Sequence, residues 1–177
     1  EYRHSYPHSW RSKKPIIYRT TPQWFISMKS NNLKDKAMQG IEDTMWIPKS
    51  SKNRIQSMVE NRPDWCVSRQ RAWGVPLTIF INKNTGEPLK DEKVMERIIE
   101  DVKRKGSDVW LSENPLKYLE KDYNPEDYYA VKDILDVWFD SGTSHAFVLE
   151  NNNLSWPADL YLEGTDQHRG FFQSSLL

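Results

Sequence analysis

The sequence has one cysteine, no excess charge and no long apolar run, and each of these shortages excludes a class of protein. Cys66 is the single cysteine among 177 residues, so the chain forms neither an internal disulfide nor a multi-cysteine zinc site. No stretch resembles a secretory signal or a membrane span. No Gly-x-Gly-x-x-Gly follows an apolar run, which argues against a dinucleotide-dependent oxidoreductase. We expect a soluble protein of a reducing compartment.

Charge and aromatic content narrow the choice further. Twenty-five basic residues balance twenty-five acidic ones, so composition gives no sign of a nucleic-acid partner. Eight tryptophans and eight tyrosines suit aromatic-lined clefts as well as cores. The length fits one ordinary domain or two small pieces. The chain begins at Glu1-Tyr2 without methionine and ends on Leu176-Leu177, so we expect it to be part of a longer polypeptide.

The last twenty residues carry the most informative pattern. The apolar run 158–162 predicts a short buried strand, Gly164 a turn, and the spacing from about Asp166 a helix. A strand, a glycine turn and a helix start are the geometry with which open α/β sheets bind ligands. The polar side chains from Glu163 to His168 fit a nucleotide-like ligand there, with the helix N-terminus suited to a phosphate. Polar turn and cap residues without a ligand are the alternative.

The middle of the chain predicts two helices and a strand. Leu33, Ala37, Ile41 and Met45 form one apolar stripe, Pro48 breaks it, and a second helix follows from Asn53 to Val59. The mixed charges of the polar faces favour a structural connector over a lipid-binding helix. Residues 75–81 read as a buried strand that begins at Pro76. Arg69 and Arg71 beside the Trp73-Gly74 turn suit a phosphate or carboxylate clamp, or surface ion pairs.

Residues 82–142 predict a small α+β unit followed by a return to the main sheet. A turn at Asn84–Glu87, a helix at Val94–Lys105 closed by Gly106 and a short strand at Asp108–Leu111 make up the unit. Strands at 134–135 and 137–139 and a turn at 141–142 follow. Asp136 and Asp140 suit a glycosidase acid–base pair, but turn-capping aspartates are the favoured interpretation.

Near the amino terminus, residues 16–18 and 21–26 are strand-like. His4 and His8 are spaced like helical zinc ligands, but Pro7 disfavours a helix there. Cys66, between Trp65 and Val67, is interpreted as a small core residue and not as a nucleophile.

Four separated blocks resemble class I isoleucyl-tRNA synthetases and follow that family's order. They are His4-Ser-Tyr-Pro-His-Ser-Trp-Arg11 with Pro22-Gln-Trp-Phe25, Arg69-Gln-Arg-Ala-Trp-Gly-Val-Pro76, Asp136-Val-Trp-Phe-Asp-Ser-Gly142, and Glu163-Gly-Thr-Asp-Gln-His-Arg-Gly170. The valyl and leucyl enzymes differ after the glycine of the last block, which favours isoleucine.

The resemblance implies an α/β fold, the second half of a Rossmann-like nucleotide-binding catalytic core with a helical connector and a small α+β insertion. The implied segments are the edge of the editing domain with its return strands (1–28), the connector (29–63), a core strand segment (64–81), the insertion (82–132) and the truncated second half of the core (133–177).

The resemblance also implies a site. Glu163 holds the amino-acid or adenylate end, while Gly164, Asp166, Gln167 and His168 belong to the adenylate- and ATP-binding loop. Trp73 and Phe171 shape the amino-acid pocket, and Trp138 and Asp140 border the cleft. Phe171 stands where a tryptophan is usual, which widens the pocket, and Ser9 stands where a cysteine is frequent. His145 lies close to the cleft, and its role is left open.

The implied reaction joins isoleucine to ATP, with Mg²⁺ expected alongside, and passes the acyl group to tRNA(Ile). We expect a cytoplasmic, monomeric full-length enzyme without a membrane partner. The His-Ile-Gly-His and Lys-Met-Ser-Lys-Ser motifs of the family do not occur, so we expect this stretch alone to be inactive and to hold no catalytic residue or metal. The alternative is a non-catalytic synthetase-derived module for RNA binding or assembly.

Overall fold

A computed structural model describes residues 3–177; Glu1 and Tyr2, the first two residues of the predicted 1–28 segment, lie outside the described residues. The strands are β1 (Phe25–Ile26), β2 (Trp65–Cys66), β3 (Ser68–Arg69), β4 (Phe80–Asn82), β5 (Tyr128–Ala130) and β6 (Ile134–Leu135). The α-helices are α1 (Leu33–Asp43), α2 (Ser50–Glu60), α3 (Glu92–Lys105), α4 (Val109–Ser112), α5 (Val137–Gly142) and α6 (Phe171–Leu176). A π-helical turn spans His145–Leu149, and short 3₁₀ turns include Pro115–Tyr118 and Thr165–His168.

The described strands pair as three two-stranded antiparallel ribbons: β1 with β2, β3 with β6, and β4 with β5. Phe25 lies opposite Cys66, Arg69 opposite Ile134 and Ile81 opposite Tyr129. The mixture of helices and strands agrees with the predicted α/β class. Within residues 3–177, however, no strands pair in parallel, so the ribbons do not by themselves show a Rossmann-like sheet.

Helices α1 and α2 are the two helices predicted for the middle of the chain, and they pack together. Ala37, Ile41, Ile55 and Val59 are buried between them, and Phe172, Leu176 and Leu177 pack against this cluster. The predicted stripe therefore faces a core, except at Met45, which is 85% exposed. Helix α1 ends at Asp43, and Thr44 is extended, so Met45 leaves the helical face.

The predicted α+β unit has its own core, formed by Phe80, Val94, Ile98, Trp110, Tyr118 and Leu119. Asp91 caps α3 by accepting the Val94 N–H, and the N–H of Gly106 donates to Val102 at its other end. Ile99 was predicted to point inward but is 44% exposed. The strand predicted at Asp108–Leu111 is wrong: α4 occupies this position, because Trp110 turns inward and donates from Nε1 to the Val131 carbonyl (2.9 Å).

Other predicted strands also fail. Residues 16–18 and 158–162 form no strand, and Ile17 and Leu162 are 90% and 81% exposed. The N–H of Ile16 donates to the carbonyl of Pro7 at 3.2 Å, but neither segment forms a strand ladder within residues 3–177. Residues 137–142 are helical and neither strand nor turn, since Asp136 caps the start of α5. The strand predicted at 75–81 reduces to a bridge at Pro76 and the start of β4, and the one at 21–26 reduces to β1.

Candidate functional site

The loop between Glu163 and Gly170 folds on itself rather than continuing from a strand into a long helix. The N–H of Gln167 donates to the carbonyl of Gly164 at 3.0 Å and opens the 3₁₀ turn. A Cβ on Gly164 would lie 2.6 Å from Oδ1 of Asp166, so a larger residue there would displace this exposed carboxylate. Glu163 and Asp166 are exposed. Both carboxylates therefore lie on the open side of the loop.

Gln167 organises this loop through both ends of its amide. Its Oε1 accepts the N–H of Phe171 at 3.0 Å, and its Nε2 donates to Oδ2 of Asp166 at 3.1 Å. His168 donates from Nδ1 to the carbonyl of Thr165 at 2.8 Å, because a carbonyl can only accept. The loop thus has the turn-and-cap bonds of the alternative interpretation, and it still leaves Glu163 and one oxygen of Asp166 open to a ligand.

Trp138 lies directly against this loop. A Cβ on Gly170 would come within 2.8 Å of Cη2 of Trp138, and Gly170 itself is buried. The indole is 39% exposed, so it borders open space beside the loop. Sequence blocks about thirty residues apart are therefore in contact at this point.

A buried carboxylate holds Trp138 in place. Asp136 is only 6% exposed; its Oδ2 accepts from Nε1 of Trp65 (3.0 Å) and from Nη2 of Arg69 (2.8 Å). Its Oδ1 accepts the N–H of Trp138 at 3.3 Å. Asp136 thus links β2 and β3 to the first turn of α5.

Arg69 is consequently occupied by the protein itself. Besides Asp136, it donates from Nη1 to the carbonyls of Cys66 and Ser68 at 2.8 Å each. The ion-pair interpretation is therefore correct for Arg69, although its partner is buried and not on the surface. Arg71 is exposed.

Two groups near Asp136 have shifted pKa values. Burial raises the pKa of Asp140, and the negative charge of Asp136 adds to this effect. Burial lowers the pKa of Arg62, against the attraction of Asp136. Asp140 therefore ionises less readily than a surface carboxyl.

Helices α5 and α6 meet without intervening side chains. A Cβ on Gly142 would lie 2.8 Å from the carbonyl oxygen of Ser174, and Oγ of Ser174 donates to the carbonyl of Gly170 at 3.0 Å. This contact fixes α6, and with it the loop that precedes it, against α5.

Phe171 faces an apolar cavity. Its ring stacks on Tyr161, with centroids 4.3 Å apart and planes 8° from parallel. Both rings line a cavity of about 530 Å³ together with His145, Trp156 and Leu160. His145 thus lies near Phe171, as expected, and its ring is 6.4 Å from that of Trp156.

The structure brings together most of the predicted site residues. The loop residues, Phe171 and Trp138 form one neighbourhood, with Asp140 on the adjoining helix. Trp73 is 87% exposed and does not line the cavity beside Phe171, so its role in the pocket stays a prediction. The sequence did not predict that Asp136 binds Arg69, because a buried aspartate that binds an arginine distant in sequence leaves no local signal.

No helix in residues 3–177 is both long and apolar enough to cross a membrane. No three His, Cys, Asp or Glu side chains in the same range are grouped to hold a metal ion.

Comparison with known proteins gives the family. Residues 6–177 match the family described as tRNA synthetases class I (I, L, M and V). The chain is 57% identical over 175 residues to an isoleucine–tRNA ligase of Pelagibacter ubique, covering 98% of this chain and 19% of the relative. It is 55% identical over 176 residues to the one of Gluconobacter oxydans, covering 99% and 18% respectively. The chain thus spans about a fifth of the length of these curated relatives. Because the family model matches nearly the whole chain, the chain belongs to the class I tRNA synthetases.

Proposed function

We propose that this chain is part of an isoleucine–tRNA ligase, which forms isoleucyl-adenylate from isoleucine and ATP and transfers isoleucine to tRNA(Ile). The observation that carries the proposal is identity above 50% to proteins of that name along the whole chain. We further propose that the complete protein acts as a cytoplasmic monomer. Its segments keep the roles expected above: editing-domain edge, connector, core and insertion.

The chemistry demands positioning and charge stabilisation. The isoleucine carboxylate attacks the α-phosphorus of ATP, and pyrophosphate leaves with its electron pair. No protein nucleophile is needed, so the chain contributes by orienting the reactants. Mg²⁺ would arrive with the ATP phosphates, and we assign it no ligand from this chain.

We assign the open side of the 163–170 loop to the adenylate. Exposed Glu163 accepts hydrogen bonds from the amino group of the substrate, and Oδ1 of Asp166 accepts from the ribose hydroxyls. The supporting geometry is the Gln167 amide, which binds the other oxygen of Asp166 (3.1 Å) and so orients this carboxylate before the ligand arrives.

We assign the amino-acid side-chain pocket to the apolar surface beside Gly170. Phe171 follows Gly170 directly in the sequence, and the indole of Trp138 lies against Gly170. A phenylalanine in place of the usual tryptophan leaves more room for the ligand. Trp73 remains a proposed wall of this pocket, carried by the resemblance alone.

We also propose that residues 1–177 alone neither activate isoleucine nor hydrolyse mischarged tRNA, since the His-Ile-Gly-His and Lys-Met-Ser-Lys-Ser motifs do not occur in them. Measurable ATP–pyrophosphate exchange by this stretch would contradict that.

Thermal stabilisation by a non-hydrolysable isoleucyl-adenylate analogue tests the assignment. The complete protein should gain melting temperature with this analogue and less with the valyl and leucyl counterparts. Glu163→Gln should reduce the gain, whereas Asp159→Asn, at an exposed aspartate with no hydrogen-bond or ion-pair partner in residues 3–177, should not. If the complete protein bound tRNA but none of the analogues, the alternative of a non-catalytic synthetase-derived module for RNA binding would be supported instead.

A further inference from the structure

A polar cavity lies at the carboxyl end of α2, where Arg169 of the 163–170 loop lines it. It shares no lining residue with the apolar cavity beside Phe171. Its volume is about 350 Å³, roughly ten times the space of one water molecule in the liquid. Two guanidinium groups, those of Arg62 and Arg169, line it together with the amides of Asn61 and Gln173. No aspartate or glutamate is among its lining residues.

The arginines are not needed to cap α2, which is the usual role of basic side chains at that end of a helix. The last carbonyls of the helix already have donors. Ser57 accepts from the backbone N–H and the Nδ2 of Asn61, Met58 from Nε2 of Gln173, Val59 from the N–H of Arg62, and Glu60 from Nζ of Lys34. None of these donors is a guanidinium nitrogen.

Hydrogen-bonding capacity is left over on both arginines. The Nε of Arg62 is buried and has no partner among the described residues. The guanidinium of Arg169 is exposed, and it forms no hydrogen bond or ion pair with residues 3–177. An unpaired buried donor is unfavourable unless a ligand satisfies it.

The surroundings of Arg62 leave its charge without a close counterion. Its guanidinium stacks over Trp65, 5.1 Å from the ring centroid, and the charge of Asp136 attracts it without forming an ion pair. That carboxylate is already bound by Arg69 and by the indole of Trp65. Two positive groups around one cavity repel each other until an anion lies between them.

We propose that Arg62 and Arg169 form a binding site for a phosphate group, distinct from the adenylate side of the loop. The planar guanidinium forks match the oxygens of a phosphate, which two arginines can bind in bidentate fashion. The phosphate belongs either to a free phosphate-bearing molecule or to the backbone of an RNA. The site does not depend on the proposed synthetase function, because it is assigned from the cavity and its unpaired donors.

Calorimetric titration of the complete protein with inorganic phosphate tests the site directly. Binding should weaken about tenfold in Arg169→Gln, which removes an exposed side chain and leaves the core intact. Arg62→Gln should have the same effect. The matched control is Arg54→Gln. Arg54 is an exposed arginine within α2, and it does not line the cavity.

The salt dependence of RNA binding shows whether the phosphate belongs to an RNA backbone or to a free molecule. If an RNA backbone supplies it, the slope of log Kd against log salt for bulk tRNA should fall by about 1 in Arg169→Gln and stay unchanged in Arg54→Gln. An unchanged slope, with phosphate binding lost, indicates a free molecule. If Arg169→Gln and Arg54→Gln behave alike with both probes, the proposal is overturned. Isoleucine activation is not the readout, so its failure would leave this result standing.

Discussion

Arg69 and Asp136 form an ion pair across 67 positions of sequence, with 2.8 Å between Nη2 and Oδ2. The carboxylate side chain is 9% exposed and the guanidinium side chain 40%. The pair joins β3 to the start of α5, and its backbone neighbours reinforce the join, because Ser68 lies opposite Leu135 and Arg69 opposite Ile134. Trp138 follows two residues later. The position of this indole beside Gly170 therefore depends on a bond made far along the chain.

We expect Asp136→Asn to lower the free energy of unfolding by about 1–3 kcal/mol, since a buried hydrogen-bonded charge is lost while the size of the side chain is kept. Urea unfolding measures the change. Asp159→Asn, at an exposed aspartate, should change stability by less than about 0.5 kcal/mol. Equal effects of the two substitutions would show that the buried pair adds nothing.

Two glycines in helices should respond to alanine with opposite signs. Gly142→Ala should destabilise by about 1–3 kcal/mol, because its Cβ would lie 2.8 Å from the Ser174 carbonyl and force α5 away from α6. Gly40→Ala should stabilise by about 0.5–1 kcal/mol, since the new Cβ would meet only the side chain of Leu176 at an ordinary 3.6 Å. Chemical denaturation of both variants compares them, and the same sign for both would refute the proposed contact.

Asp101 should make the insertion sensitive to acid. Hydrogen bonds from Lys117, Arg104 and Tyr118 hold the pKa of its carboxyl well below the ordinary value. A carboxyl with a lowered folded pKa stabilises the fold above its unfolded pKa of about 3.9, and this stability is lost as the pH falls below that value.

Unfolding followed by circular dichroism between about pH 7 and pH 2 measures how stability changes with pH. This range spans the ordinary carboxyl pKa. Asp101→Asn should be less stable than the parent at neutral pH, and the difference should shrink as the pH falls below about 4. Asp108→Asn, at an exposed aspartate nearby, should follow the parent curve throughout. A difference that stays constant with pH would contradict the assignment.

Trp138→Ala should raise the KM for isoleucine in ATP–pyrophosphate exchange by about tenfold or more, since a bound side chain would cover the exposed face of this indole and losing such a contact costs about 1.5–3 kcal/mol. The KM for ATP should stay nearly unchanged. The KM for isoleucine of Trp73→Ala should be measured for comparison. A similar rise there would support the role implied by the resemblance, and an unchanged KM in Trp138→Ala would exclude that residue from the pocket.

Local patterns predicted the elements that carry their own stabilisation. The apolar stripes of α1, α2 and α3 are confirmed apart from Met45 and Ile99, because a helix satisfies its hydrogen bonds within itself and needs only one covered face. The closing glycine Gly106 is confirmed for the same reason, whereas the capping role of Asp91 was found only in the structure. Strands were predicted less well, because a strand exists only when a second segment supplies its hydrogen bonds. Residues 16–18 and 158–162 have suitable side chains but form no strand ladder within residues 3–177.

Contiguous residues were enough to predict the family, the helices α1, α2 and α3, and a separate α+β unit after residue 82. Only the tertiary structure decided that Arg69 binds Asp136, that Trp138 rests on Gly170, and that Arg62 and Arg169 face one cavity. Such contacts join segments tens of residues apart. The strength of these contacts depends on burial and on which donors remain unpaired. Neither property can be deduced from the sequence without the tertiary structure.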